Sequence, residues 1–186
     1  ALQSYNQLAW FDGTNDIVTA NDDFTPGNLT TVAFWVFLNG DDGEVRGLID
    51  NIEWLNSGWR ITADSNNKLT LQTSSGSGTD DGSVNTYTST ATTMTRGRWI
   101  HCVATFNYLG GASNGHFLYI DGEDVGSSAS TPNTNGAHTM TKTADPLNIG
   151  YGGGLAQSYL NGCITEISVW SDMLSLANVQ ELYNDG

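Results

Sequence analysis

The sequence predicts an all-β protein: an antiparallel sandwich of two sheets closed by one short C-terminal helix. Three observations carry this. Short β-branched and aromatic runs recur along the chain, separated by Gly, Asn, Asp and Ser clusters. Glycine is frequent, with 22 residues against 3 prolines, a composition that suits turns and strands better than long helices. Helical spacing occurs only at the end, where Leu176, Val179, Leu182 and Tyr183 follow Ser175 as a capping residue. At 186 residues, one domain over 1–186 is the expectation, with enough chain to bury a core.

Taken in order, 8–20 (LAWFDGTNDIVTA) reads as two strands about the Asp12-Gly13 turn, with Phe11 and Val18 pointing inward. The run VAFWVFL (32–38) is apolar on both faces, which predicts a central strand covered on both sides. Strands follow at 46–50, 59–63 and 68–72, the last two joined by a turn at 64–67. The segment 73–83 is too polar to pack and reads as a long exposed loop. Residues 98–107 form a clear strand, and 116–120 and 125–127 flank the hairpin signal Asp121-Gly122. Residues 128–144 are Thr-rich loop with at most a short edge strand, and 147–150 returns to strand. In 161–170, Ile164, Glu166, Ser168 and Trp170 alternate with Thr165, Ile167 and Val169. The strand then runs into the helix, which is expected at a sheet edge or between the sheets.

The net charge of −14, from 20 acidic against 6 basic residues, argues against a nucleic-acid partner or an anionic membrane surface. No run has the length of a membrane span, and ALQSYNQLAW lacks a basic start followed by an apolar stretch. Cys102 and Cys163 allow one disulfide or two free thiols on packed strands, and are too few for a cysteine-only metal site. His101, His116 and His138 have no metal-ligand spacing. The acidic groups Asp22, Asp23, Asp41, Asp42 and Glu44, and separately Asp80 and Asp81, read as solvated loops.

Several motifs stand in a familiar order: FDGTNDIV (11–18), AFWVFL (33–38), GWRITADSNNKLTLQ (58–72), RWIHCVATFN (98–107), FLYIDGEDVGS (117–127), LNIGYGG (147–153) and GCITEISVWSDMLSLANVQELY (162–183). Together they resemble a laminin-G-like domain of the concanavalin A-like lectin/glucanase superfamily, over nearly the whole chain. The resemblance implies a jelly-roll of one convex and one concave sheet with loops gathered at a rim. It also implies a calcium ion, for which Asp12, Asp16 and Glu166 are the matching positions, although Thr165 stands where the family often has an aspartate.

Sugar recognition needs flat aromatic faces beside a few placed polar groups. Trp54, Trp59, Tyr87, Tyr151 and Tyr159 are read as lying in or beside loops, near Asn51, Asn56, Asn148 and Gln157. Trp35, Trp99 and Trp170 belong to strong strand patterns and are assigned to packing. Catalysis lacks a motif. A retaining glycosidase needs two carboxyls roughly 5 Å apart, and in the nearest stretch, LIDNIE (48–53), Leu48 occupies the first acidic position. The expected function is a non-catalytic glycan-binding or adhesion module, calcium-supported, on an extracellular or virion surface, with a surface polysaccharide or glycan as partner. The alternative is a structural or decorating domain that makes protein contacts, and an unrecognised glycan-cleaving site stands third.

Overall fold

The computed structural model describes residues 8–20, 27–39, 43–51, 57–75, 84–90, 93–107, 115–131, 146–152 and 158–185. Two antiparallel sheets enclose one core. The six-stranded sheet has the order β1 (Ala9–Asp12), β15 (Asn161–Trp170), β3 (Leu29–Leu38), β8 (Trp99–Asn107), β9 (His116–Ile120) and β10 (Glu123–Asp124). The seven-stranded sheet runs β11 (Ser127–Thr131), β7 (Val84–Ser89), β6 (Leu69–Ser75), β5 (Ser57–Ala63), β4 (Arg46–Asp50), β12 (Leu147–Ile149) and β2 (Val18–Ala20). A two-stranded ribbon, β13 (Tyr151–Gly152) with β14 (Ser158–Tyr159), stands apart from both. Among the described residues the helix is α1 (Leu176–Asp185). No helix there is long and apolar enough to cross a membrane.

The core follows from alternation. Phe34, Val36, Ile100, Cys102, Ala104, Leu118 and Ile120 of the first sheet meet Ile49, Trp59, Ile61, Leu69, Leu71 and Tyr87 of the second. β3 is central, as its two apolar faces predict. Its inner face lies in the core, and its outer Ala33 packs with Val103, Tyr119 and Val179 beneath α1. The helix therefore covers the outer face of the six-stranded sheet, neither an edge nor the space between the sheets. Ser175 caps it as expected. The Asn178 amide donates to the Ser175 hydroxyl at 3.3 Å, and the Ser175 amide donates back to Asn178 Oδ1 at 3.3 Å.

Four local expectations change. β1 and β2 do not pair; they diverge into different sheets, and Val18 is exposed on an edge strand. β6 extends to Ser75, with Thr73 and Ser74 buried, so the exposed loop starts later than its polarity implied. The hairpin partner of β9 is β10, ahead of the expected 125–127, while β11 supplies the short edge strand expected at the start of the Thr-rich segment. Finally, β15 is not a plain alternating strand. Thr165 faces Trp35 and Ser168 faces Ala33, so one extra residue is inserted. That bulge lets Ile164 and Ile167 both reach the core while Glu166, Ser168 and Trp170 stay outside.

The cysteines are free. Cys102 points into the core from β8, whereas Cys163, opposite Phe37 and Trp10, lies on the other face of the same sheet. Burial pushes both thiols above their ordinary pKa.

Candidate functional site

The outer face of the seven-stranded sheet is polar by register. Ile49 pairs with Ile61 and both enter the core, so their neighbours Asp50 and Arg60 must turn outward. The pairing continues in both directions. Thr19, Asn148, Asp50, Arg60, Gln72 and Thr86 stand opposite one another in a single row across the sheet. At one end the Thr19 hydroxyl donates to Asn148 Oδ1 at 3.0 Å; at the other, Gln72 Nε2 donates to the Thr86 hydroxyl at 3.1 Å. The middle of the row is dry: Asp50 is 0% and Arg60 4% exposed. Burial pushes the Arg60 guanidinium below its ordinary pKa, and the nearby charge of Asp50 and then Tyr151 act against this.

The ribbon provides the cover. Gly47 lies directly beneath it, where an added Cβ would strike the Gly152 amide nitrogen and the Tyr151 carbonyl carbon. Only glycine permits that approach. Arg46 Nη1 donates to the Tyr159 carbonyl at 2.9 Å, and the Ser158 hydroxyl donates to the Gly152 carbonyl at 3.0 Å. Tyr151 and Tyr159, paired across the ribbon, set their rings 4.9 Å apart at 32°. Both are half-buried, so one part of each ring packs and the rest is offered to solvent.

Among the residues nominated for ligand binding, the structure brings Tyr151 and Tyr159 together and places Asn148 in the polar row. Trp59 and Tyr87 are corrections. Both lie within strands that face the core. Trp59 is 0% exposed against Phe106, and Tyr87 stacks on His116 at 4.1 Å. Neither ring is presented to a ligand. Trp54, Asn56 and Gln157 lie outside the described residues. Asp50 and Arg60 were not nominated as binding residues. An arginine inside an otherwise apolar strand, in a chain with 6 basic residues, was the available signal.

The proposed metal set does not converge. Asp16 Oδ2 accepts the Asp12 amide at 2.9 Å and Asp12 Oδ1 accepts the Thr14 amide at 2.7 Å, closing the turn after β1. Asp12 pairs with Asn161, whereas Glu166 lies five residues further along β15, about 15 Å away at strand spacing. Glu166 therefore does not share an ion with the two aspartates. Among the described residues, no group of three His, Cys, Asp or Glu side chains is placed to hold a metal.

A family profile described as the concanavalin A-like lectin/glucanases superfamily, a laminin G type, matches residues 11–180. The chain belongs to that superfamily. Solved structures share its jelly-roll fold. A heptameric SAP-like pentraxin from Limulus polyphemus is 15% identical with a TM-score of 0.64, covering 95% of this chain and 81% of the pentraxin. Domain 4 of AbnA, an extracellular GH43 arabinanase from Geobacillus stearothermophilus, solved with arabinotriose, is 16% identical with a TM-score of 0.67, covering 98% and 79%. The receptor-binding domain of botulinum neurotoxin mosaic serotype C/D is 17% identical with a TM-score of 0.69. This chain covers 97% of its own length there but 42% of that domain. Curated protein sequences give no significant match. At these identities the likeness is one of fold.

Proposed function

We propose that this jelly-roll is a non-catalytic carbohydrate-binding module of an extracellular or particle surface, which takes a glycan on the outer face of its seven-stranded sheet. The observation that carries the reading is the Tyr151–Tyr159 pair, held over a polar row that spans the sheet. Partly exposed aromatic rings suit the C–H face of a sugar, and Asn148 and Thr86, both half-buried, supply an amide and a hydroxyl towards the ends of the row. Asp50 and Arg60 form the buried centre of the row. A non-catalytic role is supported by the row's chemistry: its one carboxylate, Asp50, faces a guanidinium, whereas glycoside hydrolysis uses a carboxyl pair. Solved relatives described as receptor-binding, and one holding arabinotriose, support the same class.

A glycan array probed with the purified domain tests this, in calcium and again in chelator. The expected result is saturable binding to a related set of glycans that falls at least ten-fold in both Tyr151→Ala and Tyr159→Ala. Calcium support is part of the proposal, with Asp12 and Asp16 as its remaining side-chain ligands; unchanged binding and melting in chelator removes it. Array silence under both conditions overturns the lectin reading.

One observation favours the second reading, a surface-decorating domain making protein contacts. Trp10, Cys163, Phe37 and Trp99 form a row across the outer face of the six-stranded sheet, with Trp10 61% and Trp99 37% exposed. Concentration-dependent self-association lost in Trp10→Ser would favour that role.

A further inference from the structure

A second site lies on the opposite side of the molecule, and it stands independently of the glycan proposal. Ala33, Trp35, His101, Glu166, Ser168, Trp170 and Leu182 enclose a pocket of about 180 Å³ between the outer face of the six-stranded sheet and α1. It is smaller than the about 300–1,000 Å³ typical of pockets for drug-sized ligands. The helix and the segment leading to it are tied to the sheet. The Thr31 hydroxyl donates to the Asp172 carbonyl at 2.7 Å and accepts the Leu174 amide at 2.9 Å, which ties the chain leaving Trp170 to β3. Tyr183 of α1 then stacks on both Trp35 and His101, at 5.8 and 5.9 Å.

Glu166 is the unusual member. It occupies the β15 bulge with φ of 54°, a left-handed conformation that normally selects glycine and strains any other residue. The bulge aims an exposed carboxylate into the pocket, and among the described residues that carboxylate has no hydrogen-bond or cationic partner. His101 is 3% exposed, and its Nδ1 makes no hydrogen bond among the described residues. Burial holds its imidazole toward the neutral form. The nearby Asp121 carboxylate is already engaged, by Arg98 at 2.7 Å and the His101 amide at 3.0 Å. No lysine or arginine lines the pocket.

We propose that this pocket binds a small organic cation, an alkylammonium or quaternary ammonium group, between Trp35, Trp170 and the Glu166 carboxylate. Indole rings attract cations through their quadrupole, and an unpaired carboxylate beside them supplies the opposite charge. A bare divalent metal would need several converging ligands, whereas this pocket offers one carboxylate, one hydroxyl and one buried imidazole, and no group of three His, Cys, Asp or Glu is placed to hold a metal among the described residues. An anion meets no positive group. The strain at Glu166 is what places its carboxylate beside Trp170 on the outer face.

The test is a tryptophan-fluorescence titration with tetramethylammonium chloride, at ionic strength matched with sodium chloride, beside a titration with tert-butanol as a neutral ligand of similar shape. Saturable quenching by tetramethylammonium alone is expected. Glu166→Gln should weaken it at least ten-fold with the fold retained by circular dichroism, and Trp170→Ala should abolish it. Glu181→Gln, an exposed acid on α1 outside the pocket, should leave it unchanged. Absence of saturation, equal binding of tert-butanol, or an unaffected Glu166→Gln overturns the proposal. None of these outcomes depends on whether the Tyr151–Tyr159 face binds a glycan.

Discussion

The two outer faces of the sandwich solve the same problem with opposite chemistry. The seven-stranded sheet carries a polar row whose centre is dry and charged, sealed by a ribbon of backbone lying on Gly47. The six-stranded sheet carries aromatic and small apolar side chains, part of them covered by α1 and part left open. In the first, the buried groups must remain paired because water cannot reach them. In the second, ring surfaces lie partly open and the Glu166 carboxylate stays solvated. The first face should be intolerant of single changes, and the second forgiving.

The largest expected effect breaks the first face. Asp50→Ala leaves the buried Arg60 guanidinium without its paired charge and should cost about 3–5 kcal/mol in denaturant unfolding. Asp50→Leu with Arg60→Met should recover much of that loss, since an apolar pair needs no desolvated charge. A smaller effect is expected under α1. Val179 is fully buried against Ala33, Val103 and Tyr119, and Val179→Ala should cost about 2 kcal/mol.

Proton linkage sharpens the contrast further. Burial lowers the His101 pKa, with Asp121 opposing in part. The unfolded chain therefore binds this proton more readily, so the contribution is present above the unfolded value of about 6.5 and is lost as pH falls through it. Comparing melting curves from pH 7.5 to 5 should show a shallower decline in His101→Phe than in the native protein. The smallest effect has the opposite sign. Glu166→Gly relieves the left-handed strain and should stabilise the domain by about 0.5–1 kcal/mol while removing tetramethylammonium binding. A loss of stability in that variant would show that Glu166 serves the fold instead.

Composition and turn chemistry made most strands legible, because Val, Ile and aromatic residues crowd into β3, β8 and β15 and Asp121-Gly122 marks a hairpin. What escaped was whatever depends on the partner strand. A one-residue bulge leaves no trace in β15, since NGCITEISVW reads equally well without one. The period-two alignment of Glu166, Ser168 and Trp170 was visible, but nothing local said that α1 would close a pocket over it. Trp59 and Tyr87 were misplaced because Gly58 and the surrounding Ser, Thr and Asn residues look like loop, whereas sheet pairing overrides that local preference. The polar row was hidden for the same reason: its members are scattered from Thr19 to Asn148 and meet only through register.

The position of β15 also governs how the molecule can be made. It lies between β1 and β3, so β1 has no neighbour in its sheet until β15, far along the chain, has been made. Until β15 is made, one flank of β3 stays unpaired, with its apolar run open on that side. Completing the six-stranded sheet is then the insertion of β15 into a waiting slot, a non-local pairing of the kind that folds slowly.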